Sequence, residues 1–299
     1  MFNTLKNAWR IPDLRKKLLY TLLIIIAFRF GSVVPVPFLN VSALNTLMAS
    51  ANETALGYIN MLTGGAFANA TLFAMGITPY INSSIIIQLL TVAIPALERM
   101  AKEGEEGRKK IAAITRYTTV GLGLIQGTAY YFYLRNNKIT LYNEGFSAVF
   151  TAIIIVLTFT AGTALIMWMG EHITQKGIGN GISIILFAGI VSRGPSLMRT
   201  LANLFQTGTS GIVSGIVMII VGLAIVVFIV YMSNAERRIP VQYAKRVVGR
   251  KMYGGQASYI PIKVNMSGVM PIIFASTLCG LPNMIGSFLN LDATKHPYW

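Results

Sequence analysis

Apolar residues in this chain come in long, nearly unbroken runs, with polar residues gathered into short stretches between them. Seven runs, about 18–37, 75–96, 114–134, 149–170, 181–200, 211–233 and 267–289, reach the roughly 20 residues that a helix needs to cross a bilayer core. A membrane β-barrel would instead alternate lipid-facing and lumen-facing residues with a period of two. Thr151 to Met169 and Ile212 to Met232 show no such alternation. The pattern predicts an all-α, polytopic transmembrane helical bundle.

Two stretches depart from this rhythm. Trp9 and the amphipathic stretch Ile11 to Leu18 predict a short helix lying on the cytoplasmic surface before the first span. Residues 38–74 are too polar to span and too apolar for an ordinary loop. Within them, INMLTGGAFANATLFAMGI predicts a short, weakly amphipathic helix interrupted by Gly64 and Gly65, leading into a long helix that starts near Gly76. Non-spanning backbone at membrane depth is tolerated only where protein or a water-filled cavity surrounds it. The segment therefore implies a cavity on the outer side.

Composition excludes an ordinary soluble domain: 54% of residues are hydrophobic and 12% charged. A net charge of +15 would suggest nucleic acid in a soluble protein, so the placement of the charges decides. With the N-terminus in the cytoplasm, segments 1–17, 97–116, 170–180 and 234–266 hold 19 of the 25 Lys and Arg residues. Arg135, Lys138, Arg193, Arg199 and Lys295 fall on the other side, and Arg29 lies within the first run. That asymmetry orients the N-terminus inside and, after seven crossings, the C-terminus outside. The basic start resembles a signal peptide, but no small-residue cleavage site follows and VVPVP ends the run, so the first helix is expected to be retained. Cys279, the single cysteine, lies in the seventh run and can form no intrachain disulfide.

Candidate chemistry is sparse. His172 and His296 lie on opposite sides and cannot share a metal, Glu171 and His172 lack HExxH spacing, and no GxSxG elbow or Walker loop occurs. We expect no catalytic residue, no metal and no cofactor, hence a non-enzyme. GLGLIQG, residues 121–127, looks like a nucleotide fingerprint but sits inside an apolar run, where Gly123 and Gly127 permit close helix packing. No Asp or Glu lies within a run, which weighs against the main competing class, an ion-coupled secondary transporter. Ile77, Ile81 and Ile85 share a helical face, and Ile182 and Leu186 repeat the spacing. On residues alone that reads as core packing. LERMAKEGEEGRKKI reads as a solvated hairpin, whereas ERRIPVQYAKRVVGRKMYGGQASYIPIKVN, with seven basic residues and one acid, predicts a protruding, functional hairpin.

Five segments carry a specific resemblance. GITPYINSSIIIQLL, KEGEEGRKKI, WMGEHITQKGIGNGISIILFAGI, ERRIPVQYAKR and YIPIKVNMSGVMPIIFAS resemble, in order, the signature segments of the SecY family, channel-forming subunits of the bacterial Sec protein translocase. The resemblance runs from about residue 10 to 290.

It implies an hourglass channel of ten helices in two inverted, pseudo-symmetric halves. Residues 1–210 correspond to the N-terminal half with helices one to five and the plug, and residues 211–299 to an incomplete C-terminal half with helices six and seven and the long basic cytoplasmic loop. By the same resemblance Ile77, Ile81, Ile182, Leu186 and Ile273 form a pore ring, and Asn60 to Thr71 form a plug centred on Leu62, Gly64 and Gly65. Asn82 and Gln88 face Thr277 across a lateral gate, and Arg237, Arg238, Lys245, Arg246, Arg250 and Lys251 dock a ribosome or a SecA-like motor ATPase.

The implied function is the central subunit of the protein-conducting channel. It translocates secretory proteins across the cytoplasmic membrane and releases hydrophobic segments into it. SecE-like and SecG-like small subunits, signal sequences, translocating polypeptides and membrane lipids are the further partners implied. Two features depart from the family: Phe38 stands where Gly usually follows the Pro-x-Pro that closes helix one, and the chain stops at Trp299 after seven of ten helices, as a truncated piece would.

Overall fold

The structure, a computed structural model, describes residues 9–50, 57, 60, 63–142, 144–206, 208–241, 246–248, 251–253, 258–265 and 275. It divides into two compact units, one holding the described residues up to Pro195 and one spanning Ser196–Ser276.

In the first unit α1 (Pro12–Gly31) starts on a proline at its first turn, where the missing N–H is no loss. The separate surface helix expected at Ile11 to Leu18 is therefore the first part of α1. The same helix stops at Gly31, short of residue 37, because Pro35 and Pro37 press the residues before them into extended backbone. Those residues pair instead: Leu72 donates to the Val34 carbonyl at 2.9 Å and Val36 to the Ala70 carbonyl at 3.0 Å. Gly31 is needed because the Phe73 ring occupies the space that a Cβ there would fill. Phe38 adopts φ 67°, a region open to glycine and costing other residues about 1–2 kcal/mol. Its ring lies edge-on to Tyr142 at 6.0 Å.

The helix α2 (Val41–Ser50) leads toward the inter-span segment. Asn60 is helical, but residues 63–76 form successive tight turns, so the short helix expected in residues 59–77 does not continue past Gly64 and Gly65. Gly64, Gly65 and Gly76 all take positive φ, and the side chains of Asn60 and Thr63 bind nearby backbone in competition with a helix.

The helix α3 (Thr78–Ala93) breaks before Pro95 and turns by 101° into the exposed α4 (Pro95–Lys102). Gly104 at φ 79° then reverses the chain into α5 (Glu105–Asn136). As expected for a solvated hairpin, Lys102 pairs with Glu98 and Lys110 with Glu103 in the open. α5 packs along α6 (Gly145–Lys176), where a Cβ added at Gly123 would stand 3.4 Å from Thr163 and one at Gly127 3.4 Å from Phe159. The GxxxG pattern is thus a packing motif.

A polar turn at residues 177–180 follows. Asn180 caps α7 (Gly181–Val191), its side chain accepting from Ile182 at 3.0 Å and Ser183 at 3.3 Å. Thr21 of α1 fixes the same turn by accepting from the Ile178 amide at 3.3 Å.

α8 (Gly194–Gln206) runs on into the second unit, where Phe205 fills the space beside Gly215 of α9 (Thr209–Asn234). α9 is apolar all round and exposed along its length, the character of a helix meant for lipid or other helices. The expected hairpin then appears. β1 (Glu236–Val241) pairs antiparallel with β4 (Ser258–Lys263), and β2 (Arg246–Val248) with β3 (Lys251–Tyr253).

Among the described residues three helical stretches are long and apolar enough to cross a membrane, and a fourth counts if α3 and α4 are taken as one bent span. α1 and α5, at 20 and 32 residues, have the length but more polar residues. Those of α5 are partly hidden: Thr115, Thr119 and Gln126 are buried. The seventh run and Cys279 lie outside the described residues apart from Ala275.

Candidate functional site: an aliphatic cluster with a tucked-in turn segment

Four of the five expected ring residues come together. Ile77 is buried, and Ile81, Ile182 and Leu186 pack partly buried against the same apolar cluster, which also holds Phe28, Phe73, Ile166 and Ile173. α3 and α7 present these residues because each repeats a bulky aliphatic side chain about once per turn. α6 is the backing. Gly181 lies against the Gly170 carbonyl, and the Ile182 side chain fills the space beside Gly170, so two glycines let α7 seat closely on α6. Ile273 lies outside the described residues.

The turn segment 63–76 is pressed against this cluster. Phe73 stacks on Phe28 with centroids 5.6 Å apart. A Cβ on Gly64 would stand 2.6 Å from the Gly189 carbonyl oxygen and 2.7 Å from the Ser192 hydroxyl, so the segment abuts the end of α7. Gly65 faces open space. Leu62 lies outside the described residues.

Buried backbone demands partners, and this segment supplies many of its own. Asn60 accepts from the Ala68 amide at 3.0 Å through its side chain and from the Gly65 amide at 2.9 Å through its carbonyl. Tyr130 of α5 adds an outside tie, donating to the Phe67 carbonyl at 2.7 Å with the rings stacked at 4.4 Å.

Of the gate residues, Asn82 is buried and its Oδ1 has no hydrogen-bond partner among the described residues, whereas Gln88 is exposed. Ser83, next to Asn82, is fully buried and donates to the Thr115 carbonyl at 2.9 Å, joining α3 to α5. Thr277 lies outside the described residues.

In the basic hairpin Arg237 and Arg238 are exposed on β1, and the Arg238 guanidinium lies 4.7 Å over the Tyr259 ring. Arg246 opens β2, and Lys251 opens β3 opposite Val248, the last paired position before the chain reverses. Lys245 and Arg250 lie outside the described residues.

Three elements carry no signal in the sequence pattern. Phe73 and Tyr130 hold the turn segment, and Arg116 of α5 donates to Glu171 of α6 at 2.7 Å. Opposite charges 55 positions apart do not announce their pairing. Among the described residues no cluster of His, Cys, Asp and Glu could hold a metal ion.

Known proteins resemble this chain in sequence and in fold. The SecY family profile matches residues 71–298. The protein translocase subunit SecY of Streptomyces coelicolor is 44% identical over 98% of this chain, which spans 69% of that protein, and that of Thermotoga maritima is 42% identical over 99%, again spanning 69%. A solved protein-conducting channel superposes with a TM-score of 0.64 at 20% identity, covering 92% of this chain and 59% of its own. A second structure, from work on the plug domain of SecY, gives 0.61 at 19%, covering 92% and 58%. At those identities the structures speak for the fold, and the sequence relatives for the family. The chain belongs to the SecY family of protein translocase subunits.

Proposed function

We propose that this chain supplies the front of a protein-conducting channel in the cytoplasmic membrane, with its N-terminus in the cytoplasm. The observation that carries this reading is membership of the SecY family, and the convergence of Ile77, Ile81, Ile182 and Leu186 from two helices, with the turn segment seated against them, fits it. A constriction of aliphatic side chains dewets and blocks ions, yet offers a passing polypeptide no fixed hydrogen-bonding group to hold it. Residues 60–71 close it from the outer side as the plug, and Ile273 completes the ring.

Residues 1–210 form one half and 211–299 the start of its inverted counterpart. Asn82 and Gln88, with Thr277 opposite, line the exit for hydrophobic segments into lipid. The basic hairpin docks the ribosome or a SecA-like motor, and SecE-like and SecG-like subunits complete the assembly. The chain itself performs no covalent chemistry. Energy comes from the motor or the translating ribosome.

The test is reconstitution. The complete channel containing this chain, in proteoliposomes with the motor and ATP, is expected to protect a secretory substrate from added protease. Unprotected substrate with motor ATPase intact would count against the reading.

A further inference from the structure

We propose that Glu171 is a contact for the cationic side chains of a polypeptide passing the aliphatic cluster, and that Arg116 holds this carboxylate until such a side chain displaces it. The proposal rests on the reading of the chain as part of a protein-conducting channel.

Among the described residues Glu171 is the one carboxylate on the stretch of α6 that carries Met169 and Ile173 of the cluster, and Tyr80, which packs partly buried against that cluster, lies within electrostatic reach of both Glu171 and Arg116. It also stands near the C-terminus of α6, where the helix dipole disfavours negative charge. Its support comes from across the bundle, where Arg116 donates from Nε at 2.7 Å. Unlike the two other described ion pairs, which are confined to residues 98–110, this one joins two long helices.

The pair is accessible, with 22% of the Glu171 side chain and 47% of the Arg116 side chain exposed. A single-point bond to a half-exposed arginine is readily exchanged. An incoming ammonium or guanidinium makes the same charge-assisted bond, and the released Arg116 regains water.

The surroundings give such a site a purpose. On the same reading, with the N-terminus in the cytoplasm, the segments that hold 19 of the 25 cations face the cytoplasm, and an entering lysine or arginine meets a repulsive field. One carboxylate beside the constriction supplies a local minimum for it. Trp168, half exposed, lies one turn away and packs edge-on against His172, whose Nδ1 is 3.4 Å from the Tyr20 hydroxyl.

The experiment compares translocation, in proteoliposomes bearing the complete channel, of substrates with no lysine, a pair or a cluster of lysines before the hydrophobic segment. Glu171→Gln should erase the advantage of the lysine-bearing substrates by roughly two- to fivefold, the ratio an exposed ion pair supports. Arg116→Gln, which frees the carboxylate, should enlarge that advantage. If both variants change all substrates alike, the pair is a structural clamp and the proposal is overturned. If the unaltered channel moves no substrate, the channel reading fails instead. Should either variant fail to accumulate, a photoreactive residue at Trp168 in the otherwise unaltered channel decides: crosslinks to the lysine-bearing stretch of an arrested substrate support the proposal, and their absence overturns it.

Discussion

The hydroxyl of Tyr130 donates to the carbonyl of Phe67 at 2.7 Å while the two rings stack at 4.4 Å, so one side chain of α5 grips the turn segment by both backbone and ring. Tyr130→Phe keeps the stacking and removes this donor, but the Phe67 carbonyl still accepts from the Ala70 amide at 3.1 Å, so the cost should be about 1 kcal/mol. Amide hydrogen exchange over residues 63–76 should accelerate, while exchange in α6 stays unchanged. Equal acceleration in both would show that the tie is not local.

The two adjacent glycines of the turn segment should respond unequally. Gly64→Ala meets both a positive φ of 66° and the Gly189 carbonyl, whereas Gly65→Ala meets φ 91° with open space. Both carry the left-handed penalty of about 1–2 kcal/mol. Only the Gly64 variant must also move the segment away from α7. Single-channel recording should therefore show more frequent spontaneous opening for Gly64→Ala than for Gly65→Ala.

Asn82 and Ser83 offer a contrast on one turn of α3. Asn82→Leu deletes a buried, unpartnered oxygen and should stabilise the closed arrangement by about 1–3 kcal/mol. A higher Tm and poorer export of weakly hydrophobic signal sequences are expected. Ser83→Ala removes the donor to the Thr115 carbonyl, but Thr119 still donates there at 2.7 Å. Its effect should stay within about 1 kcal/mol.

Replacing Ile81 and Ile182 with Ser puts hydroxyls into the constriction and should wet it. Planar-bilayer conductance of the resting complete channel should rise. Unchanged conductance would place the constriction elsewhere.

Charge reversal at Arg250 and Lys251 should abolish ribosome or motor binding and leave membrane insertion intact. If residual ribosome binding is measurable, its salt dependence should be shallower by about one unit for each phosphate that is no longer neutralised.

Much of this is legible because membrane helices write themselves in long apolar runs. The α6–turn–α7 unit, the GxxxG packing and the basic hairpin all stand where the sequence pattern puts them. The aliphatic cluster needs more, since isoleucine every fourth residue looks the same in a core as in a constriction, and family resemblance alone singles out those positions. Two local expectations fail for identifiable reasons. The apolar run places the start of helix one too late because its first turns are charged, although Pro12 marks the true first turn. The apolar content of residues 63–76 suggests a helix, but Asn60 and Thr63 send their hydrogen bonds to nearby backbone and favour turns instead. The positive φ of 67° at Phe38 is a conformation that glycine adopts without strain, in keeping with the expectation of Gly at this position.

A piece of chain that brings its own wiring can be moved without rewiring what surrounds it. Within residues 60–71, Asn60, Thr63, Gly65 and Ala66 bond to one another and to their near neighbours, while Asn45 to Asn69, Val36 to Ala70 and Tyr130 to Phe67 tie the segment outward. Withdrawing it breaks those outward bonds and uncovers Phe67, Ala68 and Ala70, buried in an apolar cluster with Tyr130, but leaves the bonds within the segment intact.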